Sequence, residues 1–257
     1  MSWRIATTIG TLAISALFGT ANLARAEPRR ILVYGDSNTW GYVARSDGQP
    51  THRYPREQRW TGLLQRELGS GYEIVEDGLN LRTTDLDGED WPGSVIRPDT
   101  FNGLKHLSAA LAAHMPLDLV VIMLGTNDLQ ARYQRQPDAI AAAAVMLARQ
   151  VQAASGGIGT AYPAPKALLV SPVQIATLPI EDWNRRYAGG REKSAQFASA
   201  FQRASAEAGL PCVDAASAIG GAAHGADGLH LSPDDHRSLA SALAPAIRAI
   251  LGPELPR

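Results

Sequence analysis

Five short apolar runs punctuate the chain beyond its first segment: Arg30 to Tyr34, Tyr72 to Glu76, Leu117 to Leu124, Lys166 to Ser171 and Pro211 to Asp214. Runs of Val, Ile and Leu this short, with little polar alternation, suit parallel strands covered on both faces. Between and after them lie segments of helical character, Gln58 to Leu68, Phe101 to His114, Asp138 to Ala154, Glu192 to Ala208 and Pro233 to Leu251. Strand followed by helix, five times over, predicts a three-layer α/β/α domain, doubly wound around a five-stranded parallel sheet. The Ala-rich stretch from Ala139 to Ala148 is a strong helix former rather than low complexity. Two irregular stretches, Tyr42 to Arg59 and Gln174 to Gly190, interrupt the alternation and carry aromatic residues, among them Tyr54, Trp183 and Tyr187. Loops this long in a compact domain serve function or contacts, or run over the surface as solvated excursions.

The first segment has a different character. Met1 to Arg4 leads into a small and apolar stretch, Ile5 to Leu23, which closes on Ala24-Arg25-Ala26. That is the pattern of a cleavable secretory signal with an A-x-A site, so residues 1–26 are expected to be an export signal and residues 27–257 one domain. Periplasmic or extracellular localisation follows from that expectation. Removing Arg4 and Arg25 takes the basic count from 24 to 22 against 25 acidic residues. Such a balance argues against a nucleic-acid partner, which needs a basic face. A single cysteine, Cys212, excludes an internal disulfide, and its place in a predicted strand makes it a small buried apolar residue rather than a reactive thiol.

In doubly wound sheets the site lies beyond the carboxyl ends of the strands. The polar segments that carry chemistry obey this rule. Gly35-Asp36-Ser37-Asn38 follows the first strand, Asp77-Gly78-Leu79-Asn80 the second and Gly125-Thr126-Asn127-Asp128 the third, while Asp227-Gly228-Leu229-His230 comes after the fifth. A serine hydroxyl is a poor nucleophile at neutral pH until an imidazole removes its proton, and a carboxylate must fix that imidazole's tautomer. Ser37, His230 and Asp227 fill these three roles. No Gly-x-Ser-x-Gly surrounds Ser37, which argues against the ordinary α/β-hydrolase elbow.

These four blocks, in this order, resemble the SGNH/GDSL hydrolase superfamily. The likeness is greatest to its arylesterase and acyltransferase branch, on Gly35-Asp36-Ser37-Asn38-Thr39-Trp40-Gly41, Arg59-Trp60-Thr61-Gly62, Gly78-Leu79-Asn80-Leu81-Arg82-Thr83-Thr84, Ile122 to Asp128 and Tyr162-Pro163-Ala164-Pro165-Lys166. The resemblance implies a flavodoxin-like sheet and a serine carboxylesterase that cleaves short-chain acyl esters through an acyl-enzyme, with water or an alcohol as acceptor. It implies Ser37 as nucleophile, His230 as base and then acid, Asp227 as orienting carboxylate, and an oxyanion hole built from Ser37, Leu81 and Asn127. Leu81 departs from the pattern, since many members carry Gly there; a backbone donor does not require glycine, but the Leu side chain should crowd or line the acyl site. Trp40 joins Leu81 as a candidate pocket wall. Homo-oligomers, with the two long loops as contacts, are implied too, and neither a cofactor nor a metal is called for.

Asp36 and Asp128 read as loop-bracing residues. His52, His106, His114, His224 and His236 lack a matching partner, and Asp234-Asp235 before His236 reads as a helix cap. Three other functions are consistent with parts of the pattern. Deacetylation of acetylated carbohydrates would use the same triad. A metal-dependent phosphoesterase would recruit Asp36, Asp128 and His230 as ligands, although the paired-histidine spacing of such sites is missing. A non-catalytic glycan-binding protein would keep the fold and use only its pocket.

Overall fold

The computed structural model describes residues 27–90 and 95–252; the segment read as an export signal lies outside the described residues. The elements run β1 (Arg29–Gly35), α1 (Ser37–Trp40), α2 (Trp60–Leu68), β2 (Tyr72–Gly78), α3 (Gly103–His114), β3 (Leu119–Met123), α4 (Pro137–Ala153), β4 (Lys166–Ser171), α5 (Glu181–Arg186), α6 (Gly190–Ser194), α7 (Phe197–Ala208), β5 (Cys212–Asp214), α8 (Ala215–Ile219) and α9 (Pro233–Leu251). All strand pairings are parallel, in the order β2-β1-β3-β4-β5. This is the expected three-layer α/β architecture.

The apolar runs of β1, β3 and β4 are buried on both faces because the pleat sends alternate side chains to opposite layers, while the edge strands β2 and β5 are buried only in part. Leu32 and Tyr34 of β1, with Val120 and Ile122 of β3, join one core together with Leu107 and Leu111 of α3, Ile140 and Leu147 of α4 and Phe197 and Phe201 of α7. Their neighbours Ile31, Val33, Leu119 and Val121 join a second core with Leu63 and Leu64 of α2, Ile219 of α8 and Leu239, Leu243 and Ile247 of α9. The spacing of those last three residues marks the single apolar stripe of an amphipathic helix. α9 has the predicted bounds because its start is specified locally: Ser232 and Asp235 form a reciprocal capping box, and Pro233 stands in the first turn.

Elsewhere the chain departs from the predicted elements. The single helix expected over Glu192 to Ala208 is two. Ser194, buried, donates its hydroxyl to the Arg191 carbonyl at 2.8 Å and accepts the Ile175 amide at 2.9 Å. Side-chain bonding of this kind competes with helix continuation, and the Gln196 amide turns back to Lys193 instead. The stretch Gln174 to Gly190 is not wholly irregular, since it contains α5. At β5 the ladder starts at Cys212, after Pro211, which has no N–H to give.

In a sheet of this order the connection reverses between β1 and β3, which opens a crevice at their carboxyl ends. Ser37 follows β1 and Asn127 follows β3, one on each side of that switch point.

Candidate active site

Ser37 is the first residue of α1, a single turn held at both ends. The Asp36 carboxylate caps it by accepting the Asn38 amide at 2.9 Å, and Gly41 closes it at φ 90°, in the left-handed region. α1 lies against the strand ends with no room for extra atoms. A Cβ on Gly35 would stand 2.1 Å from Thr39 Oγ1, and one on Gly78 would stand 2.3 Å from the Trp40 amide nitrogen. Glycine at both positions is therefore what lets the serine-bearing turn sit directly on the sheet.

The distant Asp227 to His230 segment completes the array. His230 Nε2 is 2.8 Å from Ser37 Oγ, and His230 Nδ1 is 2.8 Å from Asp227 Oδ2. The other carboxylate oxygen of Asp227 accepts the backbone amides of Leu229 and His230, each at 2.9 Å. Burial raises the Asp227 pKa, but the bonds from the His230 ring, its charge and the two amides outweigh that and hold the carboxyl below its usual value. An ionised Asp227 fixes the proton of His230 on Nδ1 and leaves Nε2 free to accept from the serine.

Asn38, next to the serine, clasps this segment to α1. Its side-chain oxygen accepts the Leu231 amide at 2.9 Å, and its side-chain nitrogen donates to the Leu229 carbonyl at 3.4 Å. The clasp straddles His230 and fixes the imidazole relative to Ser37 across 193 residues of chain. Asn38 lies within the first sequence block, where its residue type alone assigns it no role. A polar amide directly after Ser37, in a turn that had to be buried, was the available signal.

The Leu79 to Arg82 turn is tied to the same rim, with the Leu79 amide donating to the Gly35 carbonyl at 3.1 Å. Leu81 occupies this turn at φ 66°, a left-handed conformation that costs a residue with a Cβ about 1–2 kcal/mol. Glycine would adopt it freely, so the position favours glycine for its backbone while the chain places an apolar side chain there. Beneath it lies Arg82, also unassigned from sequence. Its buried guanidinium donates to the Gly35 and Asp77 carbonyls at 3.0 and 2.6 Å, pairs with Asp77 at 2.8 Å and stacks 3.9 Å from the centre of the Tyr34 ring. One buried cation thus joins the ends of β1 and β2 to the second block.

Asn127 faces this turn from the other side of the switch point. Its side-chain nitrogen donates to the Arg82 carbonyl at 3.0 Å, and its oxygen accepts the Tyr187 hydroxyl at 2.9 Å. Asp128 points elsewhere. It accepts the Thr84 amide at 3.0 Å and the Thr84 hydroxyl, and burial pushes its carboxyl up to about 7. Burial likewise pushes Asp36 up to about 6. Both acids are committed to bracing loops. The phosphoesterase reading needs them as metal ligands beside His230, and among the described residues no three His, Cys, Asp or Glu side chains gather in that way. His236 is buried against Tyr54 and accepts the Trp60 amide at 3.2 Å, and burial pushes it down to about 4. Asp235 caps α9 and pairs with His224 at 2.6 Å.

Both long loops reach the imidazole. Tyr42 stacks on His230 with ring centres 4.2 Å apart and planes 25° apart, and Trp183 meets the same ring at 5.7 Å and 70°. Trp40 stands 6.4 Å from Tyr42 and beneath the Arg53 guanidinium, so it belongs to this aromatic wall. Tyr42 was missed from sequence, where only the loop as a whole stood out.

A serine, an imidazole and a carboxylate hydrogen-bonded in series at the switch point of a parallel α/β sheet define a serine hydrolase. The chain belongs to the GDSL-like lipase/acylhydrolase family, whose model matches residues 33–237. Among solved structures it is similar to the native M. smegmatis aryl esterase, with 41% identity over 86% of this chain and 99% of that one and a TM-score of 0.80. A carbohydrate acetylesterase from Sinorhizobium meliloti is similar to the same degree, with 40% identity, the same coverage and a TM-score of 0.79. A lipase/acylhydrolase from Enterococcus faecalis shares the fold at 18% identity and a TM-score of 0.59, covering 89% of this chain and 100% of that one. Comparison with curated proteins finds no match.

Proposed function

We propose that this chain is an arylesterase-like serine carboxylesterase that hydrolyses short-chain acyl esters through an acyl-enzyme on Ser37. The observation that carries the reading is the unbroken chain from Ser37 Oγ through His230 to Asp227, with both links at 2.8 Å. His230 Nε2 takes the proton of Ser37 as Oγ bonds to the ester carbonyl carbon, and the carbonyl electron pair moves onto oxygen. The backbone N–H groups of Ser37 and Leu81 and the side-chain amide of Asn127 receive that oxyanion. The intermediate collapses when the ester's C–O bond breaks and the proton on His230 passes to the leaving alcohol or phenol. Water then repeats the sequence, donating its proton to His230 and releasing the acid and free Ser37.

Leu81 and Trp40 act as acyl-pocket walls in this account, and an alcohol can replace water as acceptor. Similarity to the carbohydrate acetylesterase supports a second substrate class, acetylated carbohydrates, on the same triad. Residues 1–26 act as the export signal, which places the mature domain, residues 27–257, in the periplasm or outside the cell. The long loops that reach the site also supply contacts in a homo-oligomer.

The test is turnover of a chromogenic aryl acetate with chelator present and with increasing amounts of alcohol. The expected result is a burst of phenol, chelator-insensitive turnover, and products that partition between acid and a new ester. Loss of activity with chelator, or no turnover of any short ester, would overturn the reading.

A further inference from the structure

Tyr187 comes from the loop between β4 and α6, remote in sequence from all four motif blocks, yet its side chain is 4% exposed and ends on Asn127. A carboxamide can be placed either way round, with oxygen and nitrogen exchanged, and only its partners choose between the two. Here they choose without ambiguity. The Arg82 carbonyl can only accept, so the Asn127 nitrogen must face it, at 3.0 Å. The Asn127 oxygen then faces the Tyr187 hydroxyl at 2.9 Å, which must donate. One amide N–H is spent on Arg82, and the remaining N–H has its direction fixed.

We propose that Tyr187 is a positioning residue for the reaction: its hydroxyl locks the Asn127 carboxamide so that the second N–H points at the developing oxyanion. The proposal rests on the esterase reading above. Burial raises the Tyr187 pKa, so the phenol keeps its proton over the whole working range. Neighbouring ion pairs hold the tyrosine in place. Arg186 pairs with Glu89 at 2.7 Å, and Glu89 also pairs with Arg132 at 3.4 Å, which joins the Tyr187 segment to the loops after β2 and β3. Without the hydroxyl, the Asn127 oxygen loses its donor, only the Arg82 carbonyl still orients the amide, and the carboxamide can rotate about that one bond. An oxyanion-hole donor matters most in the transition state, so substrate affinity should hardly change.

The experiment is a double-mutant cycle of Tyr187→Phe and Asn127→Ala, read as kcat and KM on an aryl acetate and as affinity for an aryl boronic acid, which mimics the tetrahedral adduct. Burst amplitude counts functional sites, so a lower yield of folded Tyr187→Phe does not obscure kcat per site. Tyr187→Phe is expected to lower kcat about tenfold, the scale of one hydrogen bond, with KM unchanged and boronate affinity reduced in parallel. In the Asn127→Ala background the same substitution should have no further effect. Wild-type kcat in Tyr187→Phe, or an equal loss in both backgrounds, would overturn the proposal. An inactive wild-type enzyme would instead overturn the esterase reading itself.

Discussion

The two sides of His230 are built differently. On the side facing Ser37, the surroundings are buried groups at strand ends, tied to one another by hydrogen bonds: the capped turn of α1, the Asn38 clasp, the Arg82 brace and Asn127. On its ring faces, the partners are Tyr42 and Trp183, which arrive on long, partly exposed loops and touch the imidazole only through aromatic contact. Hydrogen bonds constrain both distance and angle, and ring stacking tolerates sliding. The buried side therefore sets the chemistry, and the loop side shapes what reaches it.

Ser37→Ala removes the proposed nucleophile and should cost roughly 10⁴–10⁶-fold in kcat while thermal unfolding stays close to wild type. Asn127→Ala removes one of the proposed oxyanion donors and should cost roughly 10²–10³-fold in kcat with little change in KM, read from steady-state kinetics. Asn38→Ala would sharpen the comparison further. It leaves the Leu231 amide unsatisfied and frees the His230 segment from α1, so kcat should fall about 10-fold or more, and the unfolding midpoint should drop as for a lost buried hydrogen bond. On the loop side, Trp183→Ala should change kcat/KM only several-fold, with an effect that differs between aryl and alkyl esters. If Trp183→Ala proved as damaging as Asn127→Ala, the division between the two sides would be broken.

The smallest effect concerns Asp128, which belongs to the buried side without touching the chemistry. Its folded pKa of about 7 lies above the ordinary 3.8, so between those values the folded state holds a proton that the unfolded chain has released. Stability from this group is present at low pH and is lost as pH rises toward and through 7. Asp128→Asn lacks that loss, so the difference in unfolding midpoint between variant and wild type should move in the variant's favour from pH 5 to pH 8. A difference independent of pH would show that Asp128 does not titrate in that window.

Part of the buried side was legible. Continuous apolar runs announced the strands, and strand ends announced where Ser37 and Asn127 had to lie, because parallel sheets place ligand sites there. The bounds of α9 were legible because Ser232, Pro233 and Asp235 specify its start locally. What the sequence did not disclose depends on tertiary contact. Nothing local marks Arg82 as a buried cation beneath a tyrosine ring, and the polar amide of Asn38, though it follows Ser37 in a buried turn, does not disclose which segment, almost two hundred residues away, it clasps. Ser194, which divides the expected helix, acts through a bond to Ile175 in a different segment. The long loops stood out by length and aromatic content, but their convergence on His230 follows from how α5 and the Tyr42 turn pack, which no periodicity encodes.

The most direct test of the central claim is covalent trapping: protein spanning residues 27–257 is incubated with an aryl fluorophosphonate, and its intact mass and peptide map are measured alongside residual esterase activity. The account predicts one adduct per chain, on the peptide containing Ser37, with activity lost in proportion to labelling. An adduct on another residue, or full esterase activity in protein labelled at Ser37, would contradict it.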